Sequence, residues 1–171
     1  MNKQTKQTTK QTKETKTSQE NFIQIAIEEA KKALKKGEVP IGAVIVKDGK
    51  ILSKGRNMRE RKQNALMHAE VVAIEKACKK LHSWRLDGCE IYVTLEPCPM
   101  CAGAIANARL EKVTYGAKEK TSQDNLFEQI LTSNRLNHKC IFAQDEENEK
   151  ECSDLLTNFF KSKREVLKKQ E

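Results

Sequence analysis

The feature that most constrains this chain is a set of metal-ligand residues split into two halves: His68-Ala69-Glu70, then Pro97-Cys98-Pro99-Met100-Cys101, with residues 71 to 96 between them. His68, Cys98 and Cys101 supply one imidazole and two thiolates. That donor set suits zinc and leaves one of four tetrahedral positions open, as a catalytic site requires and a structural one does not. A water in such a position becomes far more acidic than bulk water, with a pKa near ~7 in the best cases. Glu70 is not a ligand in this arrangement. It is available to take the proton from that water and pass it to a departing nitrogen. Whatever fold the chain adopts has to bring the two halves round one ion.

The spacing fits two helix starts. Cys98 and Cys101 are three apart at the head of an apolar run, Ala102, Ala104, Ile105 and Ala106, so on a helix both sulfurs share a face. Helix N-termini favour thiolate over thiol, and Pro97 and Pro99 suit the first turn, where their missing N–H groups are not needed. His68 opens a second helical pattern in which Met67, Val71, Ile74, Cys78 and Leu81 recur. A lone Cys-x-x-Cys also suits a redox pair or half of a structural zinc site. A structural site would need a fourth ligand. His82, His138 and the four other cysteines are the spares, none in a second Cys-x-x-Cys, with His138 and Cys140 closest together. The agreement of the two halves favours the open, catalytic arrangement.

At 171 residues the chain is expected to form one domain with a substantial core. Its net charge of +8 favours polyanionic partners, nucleic acid first, though it also suits plain solubility. No apolar run approaches the ~18 residues of a membrane span, and the N-terminus lacks the apolar stretch of a secretory signal. Six cysteines without a disulfide framework point to a reducing, cytoplasmic compartment. Cys78, Cys89, Cys140 and Cys152 read as buried free thiols.

Residues 1–20 are almost wholly Lys, Gln, Thr and Glu, with Lys-Gln-Thr recurring from Lys3, Lys6 and Lys10, and are expected to be a disordered tail. The folded domain, residues 21–171, opens with a helix whose apolar face runs from Phe22 to Leu34 and which Gly37 ends. Strands are expected over 41–46 and 51–55 around an Asp48-Gly49 turn, then at 90–95, 112–117 and 139–143. Residues 57–66 read as a polar loop. Leu126, Phe127, Ile130 and Leu131 point inward from a short helical unit. A last helix from about Glu146 buries Cys152, Leu155, Leu156, Phe159 and Phe160. The alternation predicts an α/β fold with a mixed five-stranded sheet, helices on both faces, and the two metal-bearing helices meeting at one edge of the sheet.

Several stretches carry a resemblance that covers residues 21 to 165: Glu38-Val39-Pro40-Ile41-Gly42-Ala43-Val44, Gly55-Arg56-Asn57, His68-Ala69-Glu70, Trp84-Arg85-Leu86, Thr94 through Ala104, Arg135-Leu136-Asn137-His138 and Phe159-Phe160. Over this span the chain resembles the bacterial-type tRNA-specific adenosine deaminases of the cytidine-deaminase-like superfamily, and its ligand motif is the signature of zinc nucleobase deaminases. The resemblance implies a three-layer α/β/α fold and a homodimer with one zinc per chain. It implies that the wobble adenosine of a tRNA anticodon stem-loop is converted to inosine. Water activated by zinc would add at C6 of a flipped-out adenine and ammonia would leave, with Glu70 shuttling the proton.

It further implies that Asn57 contacts the purine ring, although a loop asparagine that satisfies turn backbone fits the same residue. Val39 and Pro40 would line the base pocket, or simply start a strand. Ala69, Glu119 and Phe159 complete the substrate-binding set, and His138 is expected near the anticodon loop, where a surface histidine without a role would look the same. Lys161, Lys163, Arg164, Lys168 and Lys169 would hold tRNA phosphates, or merely complement a helix dipole.

One stretch departs from the family pattern. After Gly116-Ala117 the family continues with an aspartate and a glycine-rich turn. Here the chain reads Lys118-Glu119-Lys120-Thr121-Ser122-Gln123-Asp124-Asn125, with Glu119 in the aspartate's place and no glycine, so a different loop path is expected. That loop gives its best support to a rival, a deaminase of a free base or nucleotide such as guanine or cytosine. The basic charge, the Arg135–His138 stretch and the Phe159-Phe160 helix speak for RNA. A second rival, a zinc-stabilised RNA-binding or scaffold subunit without activity, would be expected to lack the glutamate that stands at position 70.

Overall fold

The computed structural model describes residues 21–119 and 125–169. The expected tail over 1–20 and most of the atypical loop lie outside the described residues. Helix α1 (Phe22–Leu34) is capped by Asn21, whose side chain accepts from the Gln24 N–H at 3.3 Å, and it buries Ile23, Ala26, Ile27, Ala30 and Ala33. The chain leaves it through Gly37, at φ +75°. Strands β1 (Gly42–Lys47) and β2 (Lys50–Arg56) form an antiparallel hairpin. Its turn residues, Asp48 and Gly49, both have positive φ, the conformation that matches strand twist in a two-residue loop.

Then come α2 (Arg59–Lys62), α3 (Ala69–Leu81), β3 (Cys89–Leu95), α4 (Pro99–Asn107), β4 (Lys112–Ala117), α5 (Leu126–Thr132), β5 (Ile141–Gln144) and α6 (Glu149–Lys168). The sheet order is β2-β1-β3-β4-β5, with β1 antiparallel to both neighbours and β3, β4 and β5 mutually parallel. On one face Ala43, Ile45, Ile91, Val93, Val113 and Tyr115 pack with residues of α3, α4 and α5. On the other, Val44 and Val46 pack with Ala26 of α1, while Ala117 meets Ile23, Ile27 and Cys152 of α6. This is the expected mixed five-stranded sheet between two helical layers. Strand β1, covered on both faces, is accordingly an unbroken apolar run rather than an alternating one.

Some local expectations are corrected. The buried face of α3 is Ala69, Val72, Ala73 and Ala77; Ile74, Cys78 and Leu81 are only partly buried and Val71 is not in the core. The small residues win because α3 lies directly on β2 at Gly55, and Ser53 donates to the Ala73 carbonyl at 2.7 Å, so only alanine fits at that separation. The polar stretch 57–66 contains α2, which buries no residue and so leaves no hydrophobic period to read. Helix α6 starts three residues after Glu146, and Phe160 and Leu126 are exposed rather than inward. Strand β5 is Ile141–Gln144, an edge strand with Ile141 turned outward. The two ligand-bearing helix starts meet over the ends of the strands and not at a sheet edge: α3 packs on β1 and β2 as well as on α4, and α4 follows β3 directly.

Candidate active site

Strand directions decide where the site lies. Because β1 runs antiparallel to β2 and β3, and β4 is parallel to β3, one end of the sheet holds the start of β1 and the ends of β2, β3 and β4. Ile41, Asn57, Glu96-Pro97 and Lys118-Glu119 are the residues just beyond those ends, and Leu95 is the last residue of β3. In sheets of this kind the crevice outside the strand ends is where ligands bind.

His68 and Cys98 occupy equivalent positions there. Each is the N-cap of its helix, α3 or α4, with extended backbone at φ −74°, ψ 154° and φ −67°, ψ 167°. Neither spends its side chain on capping, so both can turn towards the gap between the helices. Cys101 follows one turn into α4. The His68 Nδ1 lies 3.6 Å from Cys98 Sγ and 3.5 Å from Cys101 Sγ. With metal–sulfur and metal–nitrogen bonds of ~2.3 and ~2.0 Å, a tetrahedral site has N···S edges of about 3.5 Å. The three donors therefore fit zinc in both chemistry and spacing. Among the described residues no other group of three His, Cys, Asp or Glu side chains converges in this way. His82, His138 and Cys140 take no part, which removes the closed structural site.

The three donors compete for protons, and zinc binding would displace those that Cys101 and His68 hold. Cys98 is held down to about 4, first by the hydrogen bond from the Cys101 thiol and then by that from His68. The same hydrogen bond, with burial, pushes Cys101 well above the usual thiol range. His68 is raised, chiefly by its bond to Cys98. Glu70, in the first turn of α3, is buried at 4% exposure, and that burial pushes its carboxyl up to about 7. Such a group both gains and loses a proton near neutrality, as a proton carrier must.

Glu70, His68 and Cys98 line one cavity of about 360 Å³, closed by Ile41, Leu95, Glu119 and Phe127. An adjoining groove of about 490 Å³ shares Ile41, Leu95 and Glu119 with it and continues past Val39 to Lys118, Phe160 and Arg164. Pro40 is buried between these residues. Asn57 is buried too, and its Oδ1 accepts from the Arg59 N–H at 3.2 Å. Ala69 points into the core and offers only backbone here. Phe159 is turned inward with Lys163 above its ring, so its neighbour Phe160 is the one that faces the groove. His138 lies elsewhere. Its Nε2 is 2.7 Å from the Leu110 carbonyl, in a separate cavity of about 310 Å³ with Trp84, Arg109 and Arg135. That cavity is beyond the far end of α4, a helix about 13 Å long.

Sequence reasoning named no role for Glu38, Ile41, Leu95, Leu126 or Phe127, all of which shape or support this region. An acid directly before a buried strand was the one available signal for Glu38. Leu126 and Phe127 were legible only as inward-facing residues of a short helix. The four remaining cysteines are free; burial raises each of them, with Cys140 and Cys152 pushed up to about 12.

Comparison with known proteins agrees with this geometry. The family model of the MafB19-like deaminases matches residues 17–164. The tRNA-specific adenosine deaminase of Bacillus subtilis (strain 168) is 46% identical over 155 residues, covering 90% of this chain and 94% of the relative. A solved structure from work on A-to-I editing by tRNA:A34 deaminases superposes with a TM-score of 0.73 at 34% identity, over 79% of this chain and 98% of the other. The guanine deaminase of Bacillus subtilis is 46% identical over a smaller part, 57% of this chain and 62% of its own, with a TM-score of 0.56. Family match and near full-length identity coincide, and the chain belongs to the MafB19-like deaminases and, among them, to the tRNA-specific adenosine deaminase family.

Proposed function

We propose that this protein hydrolytically deaminates adenosine to inosine at the wobble position, 34, of a tRNA anticodon. The observation that carries the chemistry is the buried Glu70 carboxyl on the wall of one cavity with His68 and Cys98, beside Cys101. Support for the substrate comes from the solved structure from work on tRNA:A34 deaminases, which matches along 98% of its length, against 62% for the guanine deaminase. His68, Cys98 and Cys101 would hold one zinc per chain. Bound there, zinc supplies a Lewis acid that makes a water nucleophilic at neutral pH.

Glu70 takes a proton from the attacking water and returns it to the departing nitrogen, so that adenosine and water give inosine and ammonia. A carboxyl near neutral pKa suits both transfers. Ile41, Leu95 and Phe127 exclude bulk water and offer an apolar bed for the base; Asn57, whose N–H donates to the Ile41 carbonyl, is the polar contact in this reading. Val39, Pro40 and Glu119 bound the passage from this cavity to the groove, where Lys118 and Arg164 meet the flanking phosphates. Lys161, Lys163, Lys168 and Lys169 add positive charge along α6 and at its C-cap. Phe159 supports that helix from inside. His138 would touch RNA only away from the base pocket.

The reading takes residues 21–171 as one deaminase domain behind a tail, acting as a cytoplasmic homodimer. No helix among the described residues is long and apolar enough to cross a membrane. The test is direct readout of inosine in an anticodon stem-loop carrying adenosine at the wobble position, with wild type and Glu70→Ala. Inosine from wild type alone is the expected result. Deamination of free guanine by a zinc-loaded protein that leaves the stem-loop untouched would overturn the substrate assignment.

A further inference from the structure

We infer that Glu38 is a positioning residue for base recognition: it fixes α2, and α2 in turn fixes which face of the Asn57 amide meets the substrate. The inference rests on the reading of Asn57 as a base contact.

The first N–H groups of a helix have no partner inside it. In α2 the first three find one outside. Arg59 N–H donates to Asn57 Oδ1 at 3.2 Å, Glu60 N–H to Glu38 Oε2 at 3.1 Å and Arg61 N–H to Glu38 Oε1 at 2.8 Å, while Lys62 N–H makes the first helical bond, to the Met58 carbonyl at 3.0 Å. A four-residue helix that buries nothing has no stability of its own. Its place therefore depends on the Glu38 carboxylate, which is 1% exposed and, among the described residues, makes no ion pair. A buried carboxylate held only by backbone amides is a charge-assisted cap, and both of its oxygens are engaged.

Asn57 stands between this helix and the site. Its own N–H donates to the carbonyl of Ile41, a wall of the cavity, at 3.1 Å. The next N–H, of Met58, donates at 2.9 Å to the carbonyl of Met67, directly before His68. Because the Arg59 N–H can only donate, the Asn57 atom facing it has to be the oxygen. The Nδ2 then points away from α2 with two donors to give. No buried side-chain nitrogen or oxygen among the described residues lacks a partner, so an Nδ2 unsatisfied by protein is open to the solvent side. Held in this sense, the amide recognises a ring-nitrogen acceptor of a purine. If α2 drifts, the amide is free to flip and present its oxygen, which repels the same ring nitrogen.

The experiment measures kcat/KM on the wobble-adenosine stem-loop for wild type, Glu38→Gln, Glu38→Asp, Asn57→Ala and the Glu38→Gln/Asn57→Ala double variant, with zinc content and Tm for each. Glu38→Gln sets an NH2 group against a backbone N–H and is expected to lower kcat/KM about tenfold or more, with one zinc per chain retained. Glu38→Asp, which keeps two acceptors on a shorter arm, is expected to recover part of the loss. In the Asn57→Ala background Glu38→Gln should have no further effect, because the group it orients is gone. Losses that multiply in the double variant would overturn the inference, as would a fully active Glu38→Gln beside an impaired Asn57→Ala. A fully active Asn57→Ala would instead overturn the reading of Asn57 as a base contact, and the inference with it. Should Glu38→Gln not fold, the same cycle run with Glu38→Asp decides the matter.

Discussion

Gly55 lies so close beneath Ala69 that a carbon added to it would stand 2.1 Å from the Ala69 carbonyl oxygen and 2.6 Å from the Ala73 nitrogen. Ala69 separates His68, a candidate metal ligand, from Glu70, the proposed proton carrier. Strand β2 thus presses on the backbone that carries the chemistry, and the contact is backbone against backbone, so no side chain can swing aside. Gly55→Ala is expected to cost about 1–3 kcal/mol through overpacking and to displace the first turn of α3. Thermal unfolding and zinc content would both fall. Gly103→Ala is the control: a carbon there meets nothing within 4 Å, and the change should be neutral or stabilising, as glycine to alanine is inside a helix.

Metal content should separate ligands from bystanders. Cys101→Ser and His68→Ala are expected to abolish stoichiometric zinc, whereas Cys140→Ser and Cys78→Ser should keep one zinc per chain, since neither thiol is near the donor set. Elemental analysis of the purified proteins reads the outcome. Zinc retained by His68→Ala at wild-type stoichiometry would mean a different ligand set.

Burial of Glu70 has a consequence for stability once metal is stripped. Its carboxyl is raised from 4.5 to about 7 in the fold, so the folded protein binds the extra proton. The stability this contributes is fully present below pH ~4.5 and is lost as pH rises through ~7. The loss is at most about 3 kcal/mol, as 1.36 kcal/mol corresponds to each pH unit. Metal-free Glu70→Gln should therefore unfold at higher urea than metal-free wild type at pH 8, and the two should converge near pH 4.5. Equal midpoints at pH 8 would show that Glu70 is not buried as a charge.

The opposite sign holds for Glu29 of α1. Burial pushes its carboxyl up, but hydrogen bonds and attraction from Lys32, at 2.7 Å, and Arg56, at 2.8 Å, outweigh burial and bring it below the usual range. Its contribution is present above the ordinary carboxylate pKa and lost as pH falls through the lowered one. Glu29→Gln should cost about 1–2 kcal/mol at pH 7, the partners being partly exposed, and less at pH 3. Chemical unfolding at the two pH values checks the sign.

RNA contact through the groove should appear as electrostatics. Arg164→Ala and Lys118→Ala each remove one cation from the groove lining. Each is expected to weaken stem-loop binding and to reduce the slope of log K against log salt by about 1, while zinc content stays unchanged. An unaltered salt slope would place the phosphates elsewhere.

The sequence alone determined the candidate ligand set and its two helix starts, because His68, Cys98 and Cys101 carry their chemistry in residue type and local spacing. It also determined most strands: β1 is legible as an apolar run and its hairpin turn as Asp48-Gly49. Three things were settled only by the tertiary structure. Packing distance overrode hydrophobic size on α3, where Gly55 admits alanine and turns Val71 away. Exposure along α6 put Phe160 on the groove and Phe159 inside it, since which side of a helix meets the sheet is set by neighbours distant in sequence. The capping of α2 by Glu38 was invisible because its partners are backbone N–H groups more than twenty residues away, and backbone carries no signature in the residue alphabet. Residue types can announce a metal and a proton carrier. Only the fold, by choosing which strand ends lie together, could show what holds them in place.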